Sequence, residues 1–523
     1  MVQYNIDGQM AGDGNPISNL PLHPEYTNHV GRWKFLQRSY LGGSQFKMGK
    51  YLTRYVFESD SDYLNRLNHT AVDNHCKSII HIYNSFLFRN EPKRQFGSLE
   101  GTQEVENFLE DADMEGRTWE SFMRDVNIQS SIYGHCVVLI DRPESVAGTR
   151  AEELDQDIRP YATIYTPENV LDWEWERLES GHYRLRFVRF LEQEERTTVN
   201  STKYYVRTWT NDTITLDTIE GSIDGVRETV SVKPNPLGII PATWVYSHRT
   251  PIRGIGSGDI ESIAEQQLSL FNMSAEVEQL IRLTNHPTLV KTPETEASAG
   301  AGAIITMPNE LDPNLKPYML QPSGQNLEAI LSTMRETVKS IDRMAMLGSI
   351  RAIETRQMSG IAMQTEYTTL DARLSEKAKN LEVAEESIWR NFAKWQGQVW
   401  TGSIKYPTSF NVRDKNMDMD ILKKVSETVK NVTDTDPEIV NIVKNKIKEI
   451  IAKDEDELIE MQTPQKPLNT DMEHPPIIGV EDLVKHMRSM VEEGYTDEQI
   501  KQLHPEMEQF FSNDQTQTPP QEL

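Results

Sequence analysis

QNLEAILSTMRETVKSIDRMAMLG (325–348), SIRAIETRQM (349–358) and SGIAMQTEYTTLDARLSEKAKNLEVAEESIWRNFAKWQGQVW (359–400) follow one another directly, and the contrast between them decides the fold. In the first segment Leu327, Ile330, Leu331, Met334, Val338, Ile341 and Ala345 recur at steps of three and four residues, an apolar stripe along one side of a helix. The period fails in the second segment, which is short and basic. It resumes in the third through Tyr367, Leu370, Leu374, Ala378, Leu381, Ile388, Phe392, Trp395 and Val399. At 1.5 Å per residue, this last pattern of about 40 residues spans about 60 Å. A compact enzyme domain has little use for such a rod, whereas an assembly that crosses a wide shell has.

Working outward, the chain of 523 residues is long enough for several packed units. Its mean hydropathy of −0.58 is low for that size and fits a protein whose apolar surface is partly covered by neighbours. Two cysteines, Cys76 and Cys136, cannot build a disulfide framework, and each follows a histidine, His75 and His135. Four ligands from two adjacent pairs would be sterically unusual for a metal, so both are read as buried structural thiols, with no metal and no cofactor expected. A reducing, cytosolic setting follows. Residues 1–16 are polar and lack the charged and apolar parts of a secretory signal, and no apolar run approaches a membrane span.

The formal net charge is −26, with 54 Lys and Arg against 80 Asp and Glu. Such a surface cannot grip nucleic acid all over, because tight binding needs many cations on phosphates. It does allow nucleic acid to pass: an acidic wall repels the backbone and prevents sticking. Acidic surfaces also simply keep proteins soluble, and composition does not separate the two.

Along the chain, residues 1–46 read as a polar arm. Helical patterns cover 59–88 and 102–133. Strand chemistry begins at Cys136-Val137-Val138-Leu139-Ile140 and continues through 161–165, 173–177, 183–190, 203–210 and 229–232, a meandering antiparallel sheet ending near Val245. Gly254-Ile255-Gly256-Ser257-Gly258-Asp259 then opens a helix that His286-Pro287 closes. A proline-punctuated module with short strands at 288–290, 304–307 and 318–320 precedes the opening segment, and beyond Pro407 the chain is helical and charged.

Active-site signals are poor. Gly254 to Gly258 lacks the Gly-Lys-Ser/Thr of a P-loop, the Gly-x-Gly-x-x-Gly fingerprint and the nucleophile elbow, and reads as a flexible helix entry with Ser257 or Asp259 as N-cap. Asp60/Asp62, Asp418/Asp420 and Asp434/Asp436 lack the rest of a calcium loop and read as acids at helix N-termini. Nothing demands an enzyme.

The order of parts resembles the portal, or head-to-tail connector, proteins of tailed bacteriophages. The resemblance rests on Tyr51-Leu52-Thr53-Arg54-Tyr55, Tyr63-Leu64-Asn65-Arg66-Leu67, Asn74, Ile79 and Phe88-Arg89-Asn90-Glu91-Pro92. It rests also on the succession helix, short mixed module, helix, loop, long helix, and on Ser359-Gly360-Ile361-Ala362 at the start of the long helix. It implies an α+β, mainly helical fold with long stem and wing helices, an antiparallel β wing subdomain, a small mixed clip module and a helical C-terminal crown. By position these are an arm (1–46), wing (47–258), stem helix (259–286), clip (287–322), second stem helix (323–347), tunnel loop (348–358), long wing helix (359–407), crown (408–512) and disordered tail (513–523). It also implies a homo-oligomeric ring, usually a dodecamer, at one capsid vertex of a virion assembled in the host cytoplasm. Double-stranded DNA would run in its channel during genome packaging and ejection. The partners would be the large terminase motor, the major capsid and scaffolding proteins and a head-completion or tail adaptor, with no membrane.

Arg335, Lys339 and Arg343 lie four residues apart on one helix flank. With Arg351 and Arg356 in the loop they would place cations at the channel of an acidic protein, as sequence-blind DNA contacts. The competing reading pairs them with acids of a neighbouring helix or subunit. Two other functions stay open: another ring-forming tail or baseplate subunit, and a metal-dependent nuclease whose Asp/Glu site assembles only in three dimensions.

Overall fold

The computed structural model describes residues 20–143, 156–193, 202–221, 227–285, 288–291, 317–320, 325–348 and 360–408, together with 152, 312 and 410. The chain divides into two compact units, Met1–Val412 and Arg413–Leu523, and all described residues belong to the first. The expected crown, apart from Thr408 and Phe410, and the expected tail therefore lie outside the described residues, as does the expected strand at 304–307.

The centre of the fold is β2 (His135–Asp141), buried at every position. It is the middle strand of a three-stranded antiparallel sheet, between β3 (Tyr161–Tyr165) and β9 (Ala242–Tyr246). Helix α6 (Trp119–Tyr133) packs on this sheet, and so does the long helix α9 (Gly360–Trp395). A strand covered on both faces needs no polar alternation, and this is why Val137 to Ile140 is a continuous apolar run. Trp119, Trp389, Phe108 and Phe392 interlock beside it with ring centroids 4.7–5.5 Å apart.

A second sheet is a meander in strict chain order: β4 (Val170–Arg177), β5 (Tyr183–Gln193), β6 (Thr202–Thr210), β7 (Thr213–Gly221) and β8 (Arg227–Pro234). The single sheet expected from sequence is thus two sheets, and β7 was not anticipated. Its alternation is interrupted by a register shift between Leu216 and Asp217, which hides the period of two.

Three further expectations are corrected. Residues 20–46 are not an arm: α1 (Pro24–Leu41) and α2 (Gly43–Met48) bury Trp33, Phe35, Leu36 and Phe46 in the main core. The pattern over 59–88 is two helices, α3 (Asp60–His69) and α4 (His75–Leu87), the second capped by the Asn74 side chain. The pattern over 102–133 is also two, α5 (Gln103–Glu110) and α6, because Asp113 and Arg117 fold the intervening turn back on itself.

From this body two helices run out and back. Helix α7 (Glu261–Asn285) leads to the antiparallel pair β12 (Thr288–Val290) and β13 (Tyr318–Leu320), and α8 (Gln325–Met344) returns packed against α7. Cys76 and Cys136 are buried free thiols, as expected, and burial pushes Cys76 up to about 12. Among the described residues no helix is long and apolar enough to cross a membrane.

Candidate nucleic-acid interface and its anchorage

Helix α8 carries the candidate contacts. Its apolar stripe is graded: Ile341, Ala345 and Leu347 are fully buried at the body, whereas Leu327, Ile330, Leu331, Met334 and Val338 are only half-buried. The same holds for α7, where Phe271 and Ala275 are buried but Val277 and Leu280 are partly open and Ile281 is 43% exposed. Among the described residues, the pair therefore leaves apolar surface uncovered.

Arg335, Lys339 and Arg343 are all exposed on α8. Lys339 reaches Glu336 at 2.6 Å, but both side chains are about half exposed or more, and such a pair contributes little. Neither Arg335 nor Arg343 has an ion pair among the described residues, where pairing is confined to Lys339. Arg351 and Arg356 lie outside the described residues.

The end of α8 is built with care. Met346 takes the left-handed conformation (φ 56°), its N–H bonding Arg343 O at 3.1 Å while Leu347 N–H bonds Asp342 O at 2.9 Å. This is a Schellman closure, with the buried Leu347 as its hydrophobic partner. A methionine stands where glycine is usual, two residues before Gly348. Two outside groups satisfy the freed carbonyls: Tyr83 OH donates to Ala345 O at 2.5 Å and Arg373 Nη1 to Met344 O at 3.4 Å.

Arg373 begins a buried charged node that sequence reading missed. Asp259, just before α7, receives Arg373 Nη2 at 3.2 Å and the ammonium of Lys377, with His248 Nε2 at 3.2 Å and Ser247 Oγ at 3.2 Å. Lys377 also donates to Ser131 Oγ and, at 3.3 Å, to Ser247 Oγ. Asp259 N–H is fixed by Ser131 O at 2.8 Å. Its carboxylate is thus held by side chains of the body and of α9, rather than acting as the simple N-cap expected for it. Burial alone would raise the Asp259 carboxyl; Lys377, His248 and Arg373 outweigh it and hold the group well below the usual carboxylate range. Burial draws Lys377 down from its ordinary value while Asp259 works against that. One cluster therefore ties the start of α7, the end of α8 and the middle of α9 to α6 and the central sheet.

The glycines at 254–258 also have a different reason than flexibility. A Cβ on Gly256 would lie 2.2 Å from Gly134 O, and Gly134 itself has φ 92° at the end of α6. Two backbones meet there too closely for any side chain. Next to this contact Gly256 N–H donates to His135 Nδ1 at 3.3 Å, which fixes that ring nitrogen as an acceptor.

No protein-family model and no curated protein matches the chain. Among solved structures it is similar to a chain in the neck of an empty gene transfer agent particle, at 12% identity and a TM-score of 0.38, covering 74% of this chain and 95% of that one. It is also similar to a chain in the virion of a native gene transfer agent particle, at 10% identity and a TM-score of 0.36, covering 78% and 99%. Overlap at this level is too loose to carry a functional assignment.

Proposed function

We infer that the chain is the subunit of a portal-type ring: a closed assembly around a duplex DNA channel at one vertex of a virion. There it serves packaging and ejection and docks a terminase motor and, later, adaptor proteins, with capsid and scaffolding proteins around it. The observation that carries this reading is the two-helix stem with its graded stripe. Helix α7, the β12–β13 pair and α8 run out from and back to a node of buried charge, and the apolar face they share is only half covered. Side-by-side stems in a ring would complete that burial. The exposed Arg335, Lys339 and Arg343 then supply local cations on an otherwise acidic protein. Contacts of this kind hold phosphates without reading bases, as a translocating duplex requires. The ring subunit is not an enzyme in this reading, and the energy for DNA movement comes from a separate motor.

The test is replacement of Arg351 and Arg356 together by Gln, with Arg335, Lys339 and Arg343 replaced in a second variant. Both should assemble as the parent does, while packaging or retaining less DNA. Normal packaging by both variants contradicts the DNA role, and loss of assembly would make these residues ion-pair partners between subunits. The purified protein should also show no ATP turnover.

A further inference from the structure

Residues 55–58 form a tight turn, Glu58 N–H to Tyr55 O at 3.2 Å, whose two central residues are Val56 and Phe57. Turn centres usually hold Gly, Asn, Asp or Pro. Here the side chains are 90% and 100% exposed, the highest values among the large hydrophobic side chains of the described residues. The turn is nonetheless fastened from every side. Glu58 and Arg66 pair through two bonds of 2.8 and 2.7 Å, each side chain only 6% exposed. Arg66 also holds Thr53 O at 2.6 Å and lies 4.0 Å over the Tyr55 ring. Tyr55 OH bonds Glu276 on α7 at 2.6 Å, and Thr53 N–H bonds Asn272 there at 2.8 Å. A buried ion pair and two anchors on α7 thus hold a Val-Phe tip in water.

Elsewhere the same chain carries a cavity of about 450 Å³. Its walls come from β4, β5, β9, the 249–253 turn and α9, none of which supports the Val56–Phe57 tip. Trp175 and Trp244 stand edge to face at 5.1 Å within it. At its rim Ile252 is 43% and Val383 47% exposed. Arg249 and Arg253 also line it, both exposed, and no carboxylate does so among the described residues. Around the tip acids predominate: Asp60, Asp62 and Glu276 stand near it, and Arg54 pairs with Asp60 at 2.6 Å.

We propose that the Val56–Phe57 tip of one subunit inserts into the Trp175–Trp244 cavity of the next, a head-to-tail contact between two copies of this chain. The cavity has room for one Phe and one Val side chain together, and the basic rim meets the acidic flank of the tip, which fixes orientation. A convex patch on one set of elements and a concave one on another make a heterologous contact, which repeats from copy to copy and forms a ring where the rotation between copies closes. The proposal rests on the ring reading above and names the contact that would build it.

The experiment uses full-length Phe57→Asp and Val383→Asp proteins, each sized by mass photometry beside the parent and melted by circular dichroism. Both positions are exposed, so both variants should keep the parent's circular dichroism spectrum and unfold cooperatively. The parent should be a large oligomer and each variant a monomer. Mixing the two variants should give a 1:1 heterodimer, because one retains a working cavity and the other a working tip, and a single such contact then remains. If Phe57→Asp assembles like the parent, the tip is not the contact, although the ring reading stands. If both variants are monomers and the mixture stays monomeric, insertion is also overturned. If the parent itself is a folded monomer, the ring reading fails and this contact with it.

Discussion

Lys377 lies between Leu374 and Ala378 on the buried stripe of α9, and it is 2% exposed. A charge inside an apolar period was the one signal that could have exposed the node from sequence. Its partner Asp259 could not be read the same way, because 118 residues separate them. Glu385 repeats the lesson between Leu381 and Ile388: it is fully buried and accepts from Arg94 Nε at 2.6 Å, Trp119 Nε1 at 2.8 Å and Tyr406 OH at 2.5 Å. Buried pairs of this kind add little net stability when intact, but removing one partner strands the other. Lys377→Met should therefore destabilise the protein by about 3–5 kcal/mol in denaturant titration, and the Asp259→Leu, Lys377→Met double variant should recover part of that loss. His135 gives a pH signature. Burial, with the His29 charge, pushes its ring down to about 3, and its Nδ1 already accepts the Gly256 N–H. The folded-state value lies below the ordinary 6.5, so the unfolded chain takes up the proton first. Its contribution is complete above pH 6.5 and is lost as pH falls towards 3, at about 1.4 kcal/mol per pH unit. Replacing His135 by Gln should flatten stability against pH across that window; an unchanged acid slope would assign it to other groups.

At the scale of elements, strong periods were legible and interruptions were not. Helix α9 was expected from the return of the stripe after the loop, and it runs 36 residues. Strands β2 and β3 were expected within a residue or two, since buried or alternating β-branched runs leave few other solutions. The splits between α3 and α4 and between α5 and α6 depend on side-chain caps and a folded turn, which weigh little in a count of apolar positions. The burial of residues 20–46 was obscured by the polar, glycine-rich stretch before them, although Trp33, Phe35 and Leu36 were in view. The graded stripe of α8 makes its own prediction. Ile341→Ala removes a fully buried side chain and should cost about 2–5 kcal/mol in the monomer. Leu331→Asp touches the half-buried part and should cost the monomer no more than about 1 kcal/mol. It should nevertheless abolish assembly, because it puts a charge where neighbouring stems would pack. Equal effects of the two on melting and on assembly would show the stripe to be an ordinary intramolecular core.

At the scale of the molecule, the charge of −26 and the half-covered stem both support the proposed ring subunit, which would finish its burial against copies of itself and let a polyanion pass. The candidate site was legible only as a helix flank. Arg335, Lys339 and Arg343 were found by their spacing, and the structure places them exposed on one returning helix. The node that fixes that helix to the body was not legible, because it is assembled from five separated segments. The central claim is the closed ring, and class-averaged electron micrographs of the purified full-length protein, with mass photometry on the same sample, test it most directly. The account predicts an annulus with a central opening and a mass that is an integral multiple of 60.1 kDa. A folded particle of 60.1 kDa that stays monomeric at high concentration would contradict it.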